Sequence, residues 1–242
     1  MAIVIVSGTG TEIGKTVVTA AVAATSMAAG LSVAVLKPAQ TGVGAVEPGD
    51  AAEVARLAGD GVTAVELARY PEPLAPATAA RRSGLPAVRP ADIAEAAAKL
   101  SAVHDVVLVE GAGGLLVRFD EEGATLADAA RLLHAGVLLV APAGLGTLNS
   151  VALTAEALAA RDLTCLGLVI GSWPEAPDLA ARCNLADLPG AADAPLLGAI
   201  PAGAGSLEPP LFRAAAGEWL APQLGGTWDA AAFAGRFSPS GD

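Results

Sequence analysis

Short, continuously apolar runs rich in β-branched residues recur along the chain, separated by helix-length stretches. The runs are AIVIVSG (2–8), SVAVLKP (32–38), DVVLVEG (105–111), GVLLVAP (136–142), LTCLGLVIG (163–171) and APLLGAIP (194–201). They do not alternate between apolar and polar, so they predict strands buried on both faces, as in a parallel sheet covered by helices. The covering helices are expected near 15–29, 51–58, 91–101, 126–134, 148–161, 177–188 and 209–221. The expected fold is a single α/β domain over residues 1–221, with a mainly parallel central sheet and helices on both faces. In that architecture the site lies at the carboxyl ends of the strands.

Two stretches depart from the rhythm. Residues 70–90 carry five prolines together with Tyr70, Arg81, Arg82 and Arg89, and read as a surface excursion or lid. The tail, 222–242, has low charge, several glycines and a Ser-Pro-Ser ending; partial disorder is expected and no role is assigned.

Composition narrows the function classes. With 242 residues and 53% hydrophobic content the chain can bury one large core. No uninterrupted apolar stretch reaches the ~18 residues of a membrane span. The N-terminal run is too short for a signal-peptide core and has no basic residue before it, so a cytoplasmic location is expected. A net charge of −11 argues against a nucleic-acid backbone as partner. Cys165 and Cys183 have neither disulfide nor metal spacing and read as packing residues, and His104 and His134 stand at the ends of expected helices, where no metal or acid–base role is assigned to them.

The chemistry is concentrated at the strand ends. SGTGTEIGKT (7–16) follows the first strand and opens the first helix. In that order backbone N–H groups and a helix N-terminus can face a polyphosphate, Lys15 can reach its outer phosphates, and the Thr16 hydroxyl can take a Mg²⁺ position. Thr9 stands where the general phosphate-loop pattern has its first glycine, and an ordinary Gly/Thr-rich turn is the bland reading. The second strand ends in LKPAQTG, where Lys37 either meets an anion or is a solvated loop-edge lysine. The third ends in VEGAGGLL, where Glu110 is a metal or water ligand or else an acidic strand cap. Asp50, opening a helix after a Pro-Gly turn, is by default an N-cap.

The set GTGTEIGKT, KPAQTG, an aspartate before a helix, VEGAGGLL, LGTLN and APLLGAIP, in this order from about residue 2 to 221, resembles the dethiobiotin synthetase family. That resemblance implies a P-loop NTPase fold, ATP as co-substrate and Mg²⁺. It implies 7,8-diaminononanoate and CO₂ as the other substrates, and a homodimer whose active site is shared across the interface. By the same resemblance Glu12, Ile13, Gly14, Lys15, Thr16 and Val17 cradle the phosphates, while Thr16, Asp50 and Glu110 hold the metal. Glu110, Gly111, Ala112 and Gly113 line the nucleotide; Gly171, Ser172, Pro201, Ala202, Gly203 and Glu208 flank the nucleoside. Lys37 is implied as the catalytic lysine with Lys15 beside it, and Thr11 and Thr41 as substrate contacts. Gly146, Thr147 and Asn149 are implied as the helix start that meets the substrate carboxylate from the other subunit. The chain departs from many relatives at Gly171, where they place an asparagine that reads adenine, so weak discrimination between bases is expected.

Two other readings remain at this point. A regulatory switch ATPase of the partition or cell-division type shares the phosphate loop but carries an additional lysine at the position of Gly10. The synthetase domain of an amidoligase would need a glutaminase partner, and the chain offers no convincing cysteine nucleophile.

Overall fold

The computed structural model describes residues 2–237. In chain order its elements are β1 (Ala2–Gly8), α1 (Lys15–Ala28), β2 (Val33–Thr41), α2 (Asp50–Ala58), β3 (Val62–Tyr70), α3 (Pro76–Ser83), α4 (Pro90–Ser101), β4 (Val106–Glu110) and α5 (Leu126–Leu133). They continue with β5 (Gly136–Ala141), α6 (Thr147–Ala159), β6 (Cys165–Trp173), α7 (Leu179–Ala192), β7 (Leu196–Pro201), α8 (Pro209–Ala215) and α9 (Ala230–Phe237). The strands form one sheet in the order β3-β2-β4-β1-β5-β6-β7, with every pairing parallel. Apolar side chains alternate between two cores, one on each face. Ile5 and Val107 join one, Val6 and Leu108 the other, which explains why the strands are apolar at every position.

The order of the strands determines what shares the carboxyl edge of the sheet. β1 lies between β4 and β5, and β4 lies between β1 and β2. The loop after β1, the end of β4 and the end of β2 are therefore neighbours, although about a hundred residues separate the first two in sequence. The β2–β4 register ends at Leu36↔Val109, which sets Lys37 and Glu110 side by side just beyond the last pair.

β2 does not end at Lys37, contrary to the expectation of a strand over 32–38. It continues to Thr41 along β3, and the partner register steps from Lys37↔Glu66 to Ala39↔Ala68, passing over Pro38. Proline has no N–H to give to a ladder, so the strand can cross it where one side is free. β4 has left β2 by then, and a crevice opens between them.

β3 has no counterpart among the expected strands. It is an edge strand with a mixed exposure pattern and carries Glu66 and Arg69, the charged composition that edges tolerate and continuous apolar runs lack. Residues 70–90 run along the surface as expected, with a helix in them and a few buried anchors. The Tyr70 ring is buried, its hydroxyl donates to the Pro86 carbonyl at 2.7 Å, and α3 occupies 76–83. The expected helix over 209–221 is shorter than anticipated; α8 ends at Ala215 and short 3₁₀ turns follow.

The expectation for the tail falls partly on residues 238–242, which lie outside the described residues. Of the remainder, Trp228 and Phe233 are buried in the core, and Phe233 meets Trp173 edge-on with ring centroids 5.2 Å apart. Phe237 stacks at a tilt 5.0 Å from the same indole. Cys183, expected in the packing, is exposed on α7. Cys165 is half-buried, and burial pushes its thiol above its ordinary range.

Candidate functional site

At the carboxyl edge of β1, β2 and β4 lies a cleft of about 790 Å³. Its lining brings together Thr11, Glu12, Gly14, Lys15, Thr16, Val17, Lys37, Thr41, Asp50, Glu110, Ala112 and Gly113. The volume falls within the usual range for a small-molecule site.

The phosphate-type loop turns through Gly14, whose φ of 92° lies in the left-handed region and which serves as the N-cap of α1. Lys15, at the first position of that helix, curls back over the loop and donates to the Gly10 carbonyl at 2.7 Å. Burial, followed by the nearby charge of Lys37, holds its ammonium below the ordinary lysine range. Thr16, one residue on, donates its hydroxyl to Glu110 Oε1 at 2.9 Å.

Lys37 is the centre of charge. It is 3% exposed, donates to Glu110 Oε1 at 2.9 Å and to the Gly111 carbonyl at 3.0 Å, and is ion-paired with Asp50. Burial alone would depress its pKa; the two carboxylates outweigh that and hold it above the ordinary value. It is thus no solvated loop-edge lysine. Glu110 is 1% exposed and is no solvated cap either.

Asp50 is not an N-cap. The cap position of α2 is Gly49, no side chain caps that helix, and the Asp50 carboxylate turns to Lys37 instead. Its backbone N–H is taken by buried Gln40, whose Oε1 accepts at 2.8 Å. Arg69 adds a second brace. It donates to the Gly44 carbonyl at 2.9 Å and pairs with Glu66, tying the 42–49 loop that presents Asp50 to β3. Gln40 and Arg69 were not singled out from sequence. Gln40 gave no signal because the strand was expected to end at Pro38, before it. Nothing signalled Arg69 once β3 had gone unread.

Thr16, Asp50 and Glu110 fit a divalent cation. Glu110 Oε2 is buried without a hydrogen-bond partner in the chain, an expensive state for a carboxylate oxygen unless a cation or a donor meets it. Among the described residues no three His, Cys, Asp or Glu side chains gather as a metal cage. Two carboxylates and a hydroxyl suit Mg²⁺, which keeps several waters and commonly shares its shell with substrate phosphates.

Several expected residues lie outside the cleft but touch its frame. Ile13 and Gly14 are in backbone contact with Gly171, the end of Val17 lies close to Gly205, and the Ala202 N–H donates to the Trp173 carbonyl at 2.7 Å. These contacts join Gly171 and Ser172 to the Pro201–Gly203 turn along one side of the phosphate loop. Glu208 is the N-cap residue of α8, with no side-chain cap bond. Gly146, Thr147 and Asn149 do not line this chain's cleft; they open α6 on the far side of β1.

Gly171 is bounded more tightly than base reading alone would require. A Cβ there would fall inside the van der Waals envelope of the Ile13 carbonyl and 2.7 Å from Val140 Cγ1. Gly171→Asn is therefore expected to push the phosphate loop aside and lower kcat/KM by at least about tenfold with every nucleoside triphosphate, without creating a preference for adenine. A variant that gains ATP selectivity at unchanged rate would show that the loop has slack the packing does not reveal.

A family model described as an AAA domain matches residues 3–209. The chain is 70% identical over 239 residues to the ATP-dependent dethiobiotin synthetase BioD of Streptomyces avermitilis, covering 99% of this chain and 100% of that protein. With the protein of the same name from Mycobacteroides abscessus it shares 49% identity over 224 residues, covering 92% and 97% of the two chains. Among solved structures, the MinC:MinD cell division protein complex of Aquifex aeolicus has a TM-score of 0.51 at 14% identity, covering 83% of this chain and 81% of that one. That last likeness shows a shared P-loop fold and nothing finer. With near-complete coverage at such identity, and with the loop, lysine and carboxylates gathered at one sheet edge, the chain belongs to the dethiobiotin synthetase family.

Proposed function

We propose that this protein carboxylates 7,8-diaminononanoate with CO₂ and closes the ring to dethiobiotin at the expense of ATP. The observation that carries the reading is the cluster of Lys15, Thr16, Lys37, Asp50 and Glu110 in one cleft, in a chain 70% identical to an ATP-dependent dethiobiotin synthetase along its whole length. In this scheme one amine of the substrate adds to CO₂, losing a proton to give a carbamate. A carbamate oxygen attacks the γ-phosphorus, ADP leaves, and a carbamic–phosphoric anhydride forms. The second amine attacks the carbonyl carbon and expels phosphate, leaving the cyclic urea.

Negative charge builds on the transferring phosphoryl group and on the carbamate. Lys15 and Lys37 serve as electrostatic stabilisers, and pre-placed charge in a desolvated cleft costs little reorganisation at the moment of reaction. Their fixed contacts support this assignment: Lys37 is held on three oxygens and kept charged, as a stabiliser must be and a proton carrier must not. Thr16, Asp50 and Glu110 would hold Mg²⁺, which supplies charge neutralisation at the phosphates. Thr11 and Thr41, at the cleft wall, would meet the diamine.

The proposal includes a homodimer. Leu145, 92% exposed, lies just before α6, and Leu153, 59% exposed, lies midway along it, one turn on from exposed Asn149. Apolar side chains so placed suit burial against a second copy. The first turn of α6 would then offer its N–H groups to the substrate carboxylate of the partner's cleft. No helix among the described residues is long and apolar enough to cross a membrane, and a cytoplasmic location is part of the same reading.

The direct test incubates the purified protein with the diamine, labelled bicarbonate, ATP and Mg²⁺. Acid-stable label in a cyclic urea is the expected result. Phosphate release with no label in an organic product would replace this reading with a switch ATPase, and an amide formed from an ammonia donor would replace it with an amidoligase.

A further inference from the structure

The loop between β5 and α6, residues 142–146, presents the helix start proposed to meet the substrate carboxylate, and it contains no regular structure of its own. It contains two glycines, one of which, Gly146, has a φ of 92°, and exposed Leu145. Ala143 alone of these five residues is buried in the core, so the rest of the loop needs another restraint if it is to hold a helix N-terminus at a fixed distance from a ligand.

That restraint comes from α7. Asn184 is a buried polar residue on that helix, 6% exposed, and its Nδ2 donates to the Ala143 carbonyl at 2.7 Å and to the Gly144 carbonyl at 3.1 Å. Both amide hydrogens are thus spent on consecutive carbonyls of the loop. A buried amide on a helix whose neighbouring positions, Ala181, Leu185 and Leu188, are apolar core is costly unless its bonds are made, and here the bonds clamp a loop to a rigid element. Thr147, the next residue but two, is buried as well, and its hydroxyl has no partner in the chain. The first turn of α6 is therefore braced from behind while a buried hydroxyl within it remains free to bond.

We propose that Asn184 is a positioning residue for the substrate carboxylate, acting through the 142–146 loop on the first turn of α6. It touches neither nucleotide nor diamine. The proposal rests on the reading that this helix start binds the carboxylate in the partner's cleft.

Two variants test it. Asn184→Asp keeps the shape and sets an oxygen against the two carbonyls; Asn184→Leu keeps the branched outline in a bulkier side chain and removes both donors. In each the KM for the diamine is expected to rise about tenfold while the KM for ATP stays within about twofold, because the lost bonds brace only the carboxylate side. Thermal melts identify a variant that does not fold, and kinetics are read on the one that does. Equal rises in both KM values, or unchanged constants with only a lower Tm, would reduce Asn184 to a packing residue.

Subunit exchange separates this proposal from the reading beneath it. Mixed with Lys37→Ala protein, the Asn184 variant should regain sites with the wild-type KM for the diamine; mixed with Asn149→Ala protein, it should regain none. Recovery with Asn149→Ala would overturn the proposal. If the Lys37→Ala and Asn149→Ala proteins fail to complement each other after exchange is demonstrated, the shared-site reading falls. A persisting KM split in the Asn184 variants would then place the braced helix start at its own chain's substrate.

Discussion

Glu110→Gln is expected to lower Mg²⁺-dependent turnover on the order of 10²–10³-fold while the protein stays folded. The side chain is isosteric, and its Oε1 can still accept from the Thr16 hydroxyl and the Lys37 ammonium as the carboxylate does at 2.9 Å each. The change falls on the other atom. Oε2 is buried and has no partner in the chain, and glutamine would put an N–H₂ donor there, facing the cation instead of ligating it.

The charge is lost as well, which leaves Lys37 with Asp50 as its ionic partner. Removing one partner of a buried ion pair commonly costs ~3–5 kcal/mol, and the remaining carboxylate should keep the loss below that range. Turnover measured across a Mg²⁺ titration, beside melts with and without Mg²⁺-nucleotide, distinguishes the two effects. Undiminished turnover at every Mg²⁺ concentration would remove Glu110 from the metal set. Asp50→Asn provides the companion measurement. Since Asp50 caps nothing, its effect should appear in metal dependence more than in helix stability.

The second large effect is regained activity, not lost activity. Lys37→Ala and Asn149→Ala proteins should each be poorly active. Mixed under conditions of subunit exchange, they should regenerate up to about a quarter of all sites in a random mixture of isologous dimers. In a mixed dimer one cleft collects both defects and the other collects neither. Within one chain Lys37 lines the cleft and Asn149 does not, and this separation is what the experiment exploits. Exchange shown by an independent label, with activity no higher than that of the separate mutants, would mean that Asn149 serves its own chain or only shapes α6.

Much of this was legible from the residues. Continuous apolar runs announced six of the strands because burial on both faces leaves no polar position to confuse the pattern. β3 escaped because an edge strand can carry Glu66 and Arg69, and those charges remove the signal by which the other strands were recognised. Lys37 and Glu110 stood out because a charged residue at the end of an apolar strand has few inexpensive explanations, and Lys15 because it closes a glycine-rich loop just where a helix opens.

Which of them touch was not written locally. Lys37 reaches Glu110 because β4 lies between β2 and β1, and strand order is a property of the whole chain. The residues that brace the site were the hardest to find. Gln40, Arg69 and Asn184 act on backbone groups of loops, and a side chain that bonds to main chain leaves no pattern at its target.

The aromatic cluster at the end of the chain also has a consequence in time. Trp173 closes β6 two residues after Gly171, and its indole is covered by Phe233 and Phe237 of α9. On a ribosome β6 emerges some sixty residues ahead of that cover. The nascent domain can assemble its sheet early, since domains form from the N-terminus as they are made. The flank of the sheet that adjoins the phosphate loop nevertheless keeps a bare tryptophan until the last turn of α9 has left the exit tunnel. A chain cut before Phe233 would therefore hold every residue of the cleft and still expose the apolar surface that chaperones and proteases recognise.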